Sequence, residues 1–231
     1  MSHVAWGTGA LLDVEGAARA AHRVGAAVLV DGAQAAGVMA VDPAALGADA
    51  YAFPAQKWLL GPGGLGALWV RRDALDHFDC TFTGVASGTD HMPDGAFRPH
   101  CGARRFEMAL SPEGLIPGWL ASLRWISDLG GEDGVRGIPW IARRSQAAAD
   151  AARSALERVG ATILTPAGHP TGLLTFTVDG IDAEPAAAAL EGRGVIVRWV
   201  PFPRALRASI GFYTESNDIE RLAAGVADLT G

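Results

Sequence analysis

The chain has 231 residues, of which 49% are hydrophobic and 19% charged, a composition that fits one large or two small domains and is globular rather than disordered. The formal charge is −6 and no lysine–arginine cluster stands out, which argues against a general nucleic-acid binder, since that role needs a basic face against phosphates. No apolar run approaches the roughly 20 residues that span a bilayer, so no membrane partner is expected, and the two cysteines, Cys80 and Cys101, make no CxxC pair, which fits a reducing cytoplasm.

Taken in chain order, Val4 to Trp6 reads as a short strand, followed at once by Gly7-Thr8-Gly9. A helix is predicted over 14–24, with Asp13 as its cap and Gly25 as its stop. Ala26 to Val30 is a wholly apolar run ending at Asp31-Gly32-Ala33-Gln34, the pattern of a parallel strand covered on both faces. Asp42-Pro43 predicts a short helix, with Asp as cap and Pro at the first helical position. Strands are expected over 49–53, just before Lys57, and over 66–70. Residues 80–105 read as a long ordered loop or arm. Helices are expected over 113–129 and 139–158. Strands at 173–178, 195–199 and 205–210 then accompany a helix at 183–192, and the last helix, 218–229, opens with the capping-box pattern Asn217-x-x-Glu220. This alternation reads as α/β, with part of a large domain carrying a mainly parallel sheet over 1–110, connecting helices over 111–160 and a smaller C-terminal α/β domain over 161–231.

One count points to chemistry. Lys57 is the only lysine among 19 basic residues. Arginine serves wherever a positive surface charge suffices, so the remaining lysine is either a leftover or a place where a primary amine is required. Asp31 and Gln34 follow one predicted strand and Lys57 follows the next. Ligands of open α/β sheets bind outside the carboxyl ends of strands, so these groups are candidates for one site. Pyridoxal phosphate needs a lysine amine and a carboxylate beside its ring nitrogen, and an amide can bond its ring hydroxyl. Taken singly, Asp31 reads as a turn residue before Gly32 and Gln34 says little. The six histidines, His3, His22, His77, His91, His100 and His169, show no metal-ligand spacing, so no metal is expected. His91 and His100 read as exposed loop residues or as residues near the site's mouth.

The segments Ser2-His3-Val4, Val28 to Gln34 (VLVDGAQ) and Tyr51 to Gly66 (YAFPAQKWLLGPGGLG) resemble the class V aminotransferase family. These are fold-type-I pyridoxal-phosphate enzymes that include cysteine desulfurases and isopenicillin N epimerase-like proteins. The resemblance continues in Arg104 to Glu107 (RRFE), in Leu206 to Tyr213 (LRASIGFY) and in Asp218 to Leu222 (DIERL). It implies a partial fold-type-I large domain followed by a smaller α/β domain. It further implies Lys57 as the lysine that binds pyridoxal 5'-phosphate and shuttles the substrate α-proton, Asp31 as partner of the ring nitrogen, Gln34 at the ring hydroxyl, and Arg207 on the substrate α-carboxylate. On its own, Arg207 reads as a surface ion pair. The implied activity is on an amino acid or amine, by aminotransferase, epimerase or carbon–sulfur lyase chemistry through an external aldimine, in a cytoplasmic homodimer.

The sequence also departs from the family pattern. Many relatives carry Ser-x-His immediately before the lysine, both holding the cofactor phosphate, and here those places are Pro54 and Gln56. Gln56 retains a hydrogen-bond donor and stays a candidate cofactor residue. A Gly-Thr that relatives show after Phe-Glu is here Ala109-Leu110, with a hydroxyl only at Ser111. Desulfurases place a nucleophilic cysteine shortly before the Arg-Ala-Ser segment, and Val195 to Arg204 has none. The family also extends upstream of Ser-His-Val, so the chain is expected to lack its N-terminal portion. The alternative reading is therefore a truncated, non-catalytic remnant that acts as a binding or assembly module.

Overall fold

The computed structural model describes residues 1–109, 112–169 and 171–229, so the hydroxyl expected at Ser111 lies outside the described residues. The chain divides into two compact units. Met1–His3, Asp13–Ala33 and Val41–Trp125 make the first; Val4–Leu12, Gln34–Ala40 and the chain from Ile126 onward make the second.

In the first unit, helix α1 (Val14–His22) starts where Asp13 accepts the Gly16 amide at 2.8 Å, and it ends short of Gly25, which takes a φ of 74° that favours glycine. The strand expected from Ala26 narrows to β1 (Leu29–Asp31). It runs parallel to β2 (Ala50–Pro54), which pairs antiparallel with β3 (Gly66–Val70). The sheet order is β1-β2-β3, so of its two ladders only one is parallel, where a mainly parallel sheet was expected. The cause is local: the segment after β2 folds back as a hairpin rather than crossing over through a helix. The helix expected at Asp42 is a single turn, with Asp42 accepting the amides of Ala44 and Ala45 and Gly47 at φ 71° ending it. Val14, Ala18, Val28, Val30, Ala48 and Tyr51 make this unit's core. The arm after residue 80 contains a two-residue ladder between β4 (Gly88–Thr89) and β5 (Arg98–Pro99), then a 3-10 turn at Ala103–Phe106.

Helix α2 (Leu115–Asp128) carries the division between the units, which falls after Trp125. In the second unit, helix α3 (Ile138–Arg158) has a proline in its first turn, where a missing N–H costs nothing. Four antiparallel strands follow in the order β6-β7-β9-β8: β6 (Thr162–Ile163), β7 (Leu173–Thr177), β8 (Arg198–Pro201) and β9 (Arg204–Ser209). Helices α4 (Ala183–Glu191) and α5 (Ser216–Ala227) complete the unit. Leu174, Phe176, Leu206 and Ala208 alternate onto one face of the sheet and pack in one core with Leu156 of α3, Leu190 of α4 and Leu222 of α5. The opposite face carries Thr175, Arg207 and Arg198, which lie side by side in register across β7, β9 and β8. The Val4–Trp6 strand is reduced to one bridge, Val4 with Leu11. Among the described residues no helix is long and apolar enough to cross a membrane.

Candidate functional site

Asp31 ends β1 and lies opposite Ala52 of β2 in the parallel ladder. Lys57 follows β2 by three residues, so both side chains leave the carboxyl edge of the same parallel pair. Asp31 is exposed, and its carboxylate takes one hydrogen bond, from the Ala33 amide at 2.9 Å. No cationic side chain pairs with it among the described residues. Its backbone is held by Met1 and His3, with the Asp31 amide on Met1 O at 2.8 Å and the His3 amide on Asp31 O at 2.9 Å.

Behind Asp31 stands a buried pair that the sequence reading did not single out. His3 Nδ1 and the Tyr51 hydroxyl are 2.8 Å apart, and both residues are almost fully enclosed. Burial lowers the His3 pKa, and burial together with the nearby Asp31 charge raises that of Tyr51 far above a free phenol. Tyr51 lies against Gly32, where a Cβ would come within 1.9 Å of the ring, so the residue after Asp31 has to be glycine. The signal available in the sequence was His3 and Tyr51 themselves, the one beside the apolar run that starts at Val4 and the other within the strand segment 49–53.

Lys57 lies in a loop closed at its base by the Ala55 amide on Leu65 O at 2.9 Å and by the Gly61 amide on Ala55 O at 2.8 Å. Ala55, Trp58 and Leu59 are buried, while Gln56 and Lys57 project into solvent. Within the same unit, Ser122 of α2 donates to Leu60 O at 2.9 Å, and Trp119 packs so closely on Gly61 that a Cβ there would come within 2.6 Å of its ring. The lysine thus stands on a braced loop. An open cavity of about 690 Å³ runs past Asp31 along Ala52 and Pro54 to Arg104 and Glu107, without reaching Lys57.

Gln34 and Arg207 belong to the second unit. Gln34 is buried. Arg207 is only 7% exposed, rather than the surface residue that it suggests in isolation. Its Nη1 donates to Trp6 O at 2.8 Å, its guanidinium lies 4.9 Å from the centre of the Trp6 ring, and its Nε is buried without a hydrogen-bond partner. Burial, then the charge of Arg198, lowers its pKa. Trp6 begins a strap whose next three carbonyls accept from threonine hydroxyls: Gly7 from Thr175 at 3.0 Å, Thr8 from Thr165 at 2.7 Å and Gly9 from Thr171 at 2.9 Å. A Cβ at Gly7 would fall 2.3 Å from Phe202 O, so the strap lies too close to the sheet for a side chain there.

No group of histidine, cysteine and acidic residues suited to a metal occurs among the described residues. Cys80 and Cys101 are free, the latter exposed. The segment before the Arg-Ala-Ser motif is a tight hairpin, with only Phe202 and Pro203 joining β8 to β9.

The model of the aminotransferase class-V family matches residues 1–222. The chain is 29% identical to a probable cysteine desulfurase of Methanothermobacter thermautotrophicus, over 100% of its own length and 60% of that protein's. It is 31% identical to isopenicillin N epimerase of Streptomyces clavuligerus, over 100% of its own length and 59% of that protein's. The apo structure of a cysteine desulfurase from Thermococcus onnurineus NA1 superposes with a TM-score of 0.85 at 26% identity, covering 99% of this chain and 58% of the other. The chain therefore spans about 60% of the length of these two curated relatives.

Proposed function

Because the chain belongs to the class V aminotransferase family of fold-type-I pyridoxal-phosphate proteins, we propose that it serves pyridoxal-phosphate chemistry on an amino acid or amine: amino transfer, epimerisation or carbon–sulfur cleavage. One observation carries the reading. The chain's only lysine and an unpaired aspartate leave the same carboxyl edge of one parallel strand pair. This donor set fits the cofactor, since an amine suits its aldehyde and a carboxylate with free lone pairs suits a ring N–H. When bound, pyridoxal 5'-phosphate supplies an electron sink for negative charge developing at the substrate α-carbon.

In this reading Lys57 holds the cofactor by its amine and carries a proton to or from the α-carbon, and the braced loop keeps that amine in place. Asp31 keeps a proton on the ring nitrogen; His3 and Tyr51 support it from behind. Gln34 meets the ring hydroxyl, and Gln56 supplies an amide N–H toward the phosphate. Arg207 receives the substrate α-carboxylate. With Nη1 taken by Trp6, the edge formed by Nε and Nη2 is left for a two-bond grip. Persulfide formation is not part of the proposal, because the Phe202-Pro203 hairpin carries no cysteine. The reading takes the protein as a homodimer in the cytoplasm, a reducing compartment that its two free cysteines fit.

Borohydride reduction of the chain loaded with pyridoxal phosphate, followed by peptide mass mapping, tests this. The label is expected on Lys57 and to vanish in Lys57→Ala. A label that settles elsewhere than on Lys57, or that persists in Lys57→Ala, overturns the assignment.

A further inference from the structure

The turn that carries Lys57 is closed by a residue whose side chain opposes the conformation it takes. The Leu60 amide donates to Lys57 O at 3.1 Å, which makes Lys57 to Leu60 a tight turn, and the Gly61 amide then returns to Ala55 O at 2.8 Å. The chain meets both bonds by reversing at residue 60, where Leu60 takes a φ of 54°. Left-handed backbone brings Cβ too close to the following carbonyl oxygen, so a bulky residue stays there only where its surroundings over-determine it. Among the described residues the only other non-glycine at positive φ is Asp90, a residue type that visits this region readily. Glycine stands at 61, 63 and 64, yet not at the neighbouring position that needs it.

One face of α2 supplies the surroundings. Trp119 and Ser122 are three positions apart and so lie on the same side of that helix. The Ser122 hydroxyl is 2.9 Å from Leu60 O, nearer than the 3.3 Å to Gly118 O, and the Trp119 ring lies against Gly61. The helix thus takes hold of the two residues that set the reversal. What leucine offers over glycine here is rigidity. With a Cβ the left-handed well is small, about 20° wide in φ, whereas glycine ranges broadly on both sides of zero. Held in that well, Leu60 leaves the turn one shape, and the direction in which Lys57 leaves the turn is fixed with it. A plain connection between β2 and β3 has no use for such strain.

We propose that Leu60 and Ser122 are positioning residues for the Lys57 amine: the strained turn, held from α2, fixes the arc through which that amine meets an aldehyde. A lysine on a loose loop gives up backbone and rotamer freedom together when it reacts; here the backbone share is given up on folding. The inference rests on the reading of Lys57 as the lysine that binds pyridoxal phosphate, and the experiment separates the two.

The full chain labelled with carbon-13 at lysine Cε gives one lysine signal, since Lys57 is the only lysine, and its relaxation reports how freely that side chain moves. Borohydride trapping of added pyridoxal phosphate over time, read by peptide mass, gives the rate at which Lys57 condenses. Leu60→Gly is expected to leave the urea midpoint equal to or above that of wild type, to sharpen the lysine signal and to slow condensation about tenfold. Stability held or raised while reactivity falls is a result that a merely structural role does not give. Ser122→Ala is expected to slow condensation about threefold, and Ser122→Thr, which keeps the hydroxyl, to restore it. Wild-type rates in both Leu60→Gly and Ser122→Ala, or rates that fall only in step with the urea midpoint, overturn the positioning proposal and leave Lys57 as the reacting lysine. Trapping of the wild type elsewhere than on Lys57 overturns the underlying reading and this one with it.

Discussion

One buried charge ties three segments of the first unit together, and removing it should loosen the sheet from which Asp31 and the Lys57 loop extend. Asp49 is fully buried. Its Oδ2 accepts the Val28 amide at 2.6 Å and, in the tautomer protonated there, His22 Nε2 at 2.9 Å; its Oδ1 faces Arg71 at 2.8 Å. One carboxylate therefore ties the end of α1, the approach to β1 and the segment after β3. Burial alone would raise its pKa, but the His22 and Val28 hydrogen bonds and the Arg71 charge outweigh burial, and the net shift is downward. A depressed folded pKa gives stability that is fully present above the unfolded value of 3.8 and is lost as pH falls through the folded value. Asp49→Asn keeps the shape and removes the charge. Breaking a buried pair costs about 3–5 kcal/mol, and because Arg71 and His22 are each about a third exposed the lower end applies, about 3 kcal/mol. Against a typical total of roughly 5–15 kcal/mol this is a large fraction. Urea unfolding at pH 7, with amide exchange read on β1 and β2, measures the loss. The gap between wild type and variant should narrow as pH drops below 3.8. A loss under about 1 kcal/mol, or a gap that does not change with pH, would refute the reasoning.

Two further perturbations address the candidate site. Gly32→Ala places a Cβ within 1.9 Å of the Tyr51 ring, so it should cost about 1–3 kcal/mol by overpacking and displace Asp31; a urea midpoint equal to that of wild type would contradict the close packing. Asp31→Asn should leave pyridoxal phosphate bound but sharply reduce turnover, because an amide does not hold a proton on the ring nitrogen; turnover equal to wild type would reduce Asp31 to the turn residue that its Ala33 hydrogen bond also allows.

The elements that sequence placed best are those with local stop signals. The helix expected over 139–158 is α3, Ile138–Arg158, bounded by Gly137 at φ 65° and Gly160 at φ 85°. Direction and pairing were harder to read. Residues 66–70 are β3 as expected, yet nothing in that apolar run tells a crossover from a hairpin. The antiparallel return depends on the Ala55–Leu65 hydrogen bond, which a loop of glycine and proline does not announce. The last helix begins two residues earlier than its pattern suggests. Its capping box joins Glu215 to Asp218 rather than Asn217 to Glu220, because an acidic cap satisfies the same amides.

The candidate site divides along the same line, between what side chains announce and what the backbone does. Lys57, Asp31 and Gln34 stand out in the sequence as candidates because what each would contribute resides in residue identity. The pairing of Arg198 with Arg207 was legible in principle: if Phe202 and Pro203 are the turn, residues equidistant from it pair, and Arg198 then falls opposite Arg207. The strap from Trp6 to Gly9 was not, because its contribution is made by carbonyl oxygens, which every residue has. What marks it are the donors, Thr165, Thr171, Thr175 and Arg207, more than 150 positions away in sequence. A threonine in a strand reads equally well as ordinary β-propensity. The strap also explains why Arg207 is buried without an acidic partner. A peptide carbonyl and an indole ring hold a guanidinium in place without neutralising it, which is what the proposed carboxylate role of Arg207 requires.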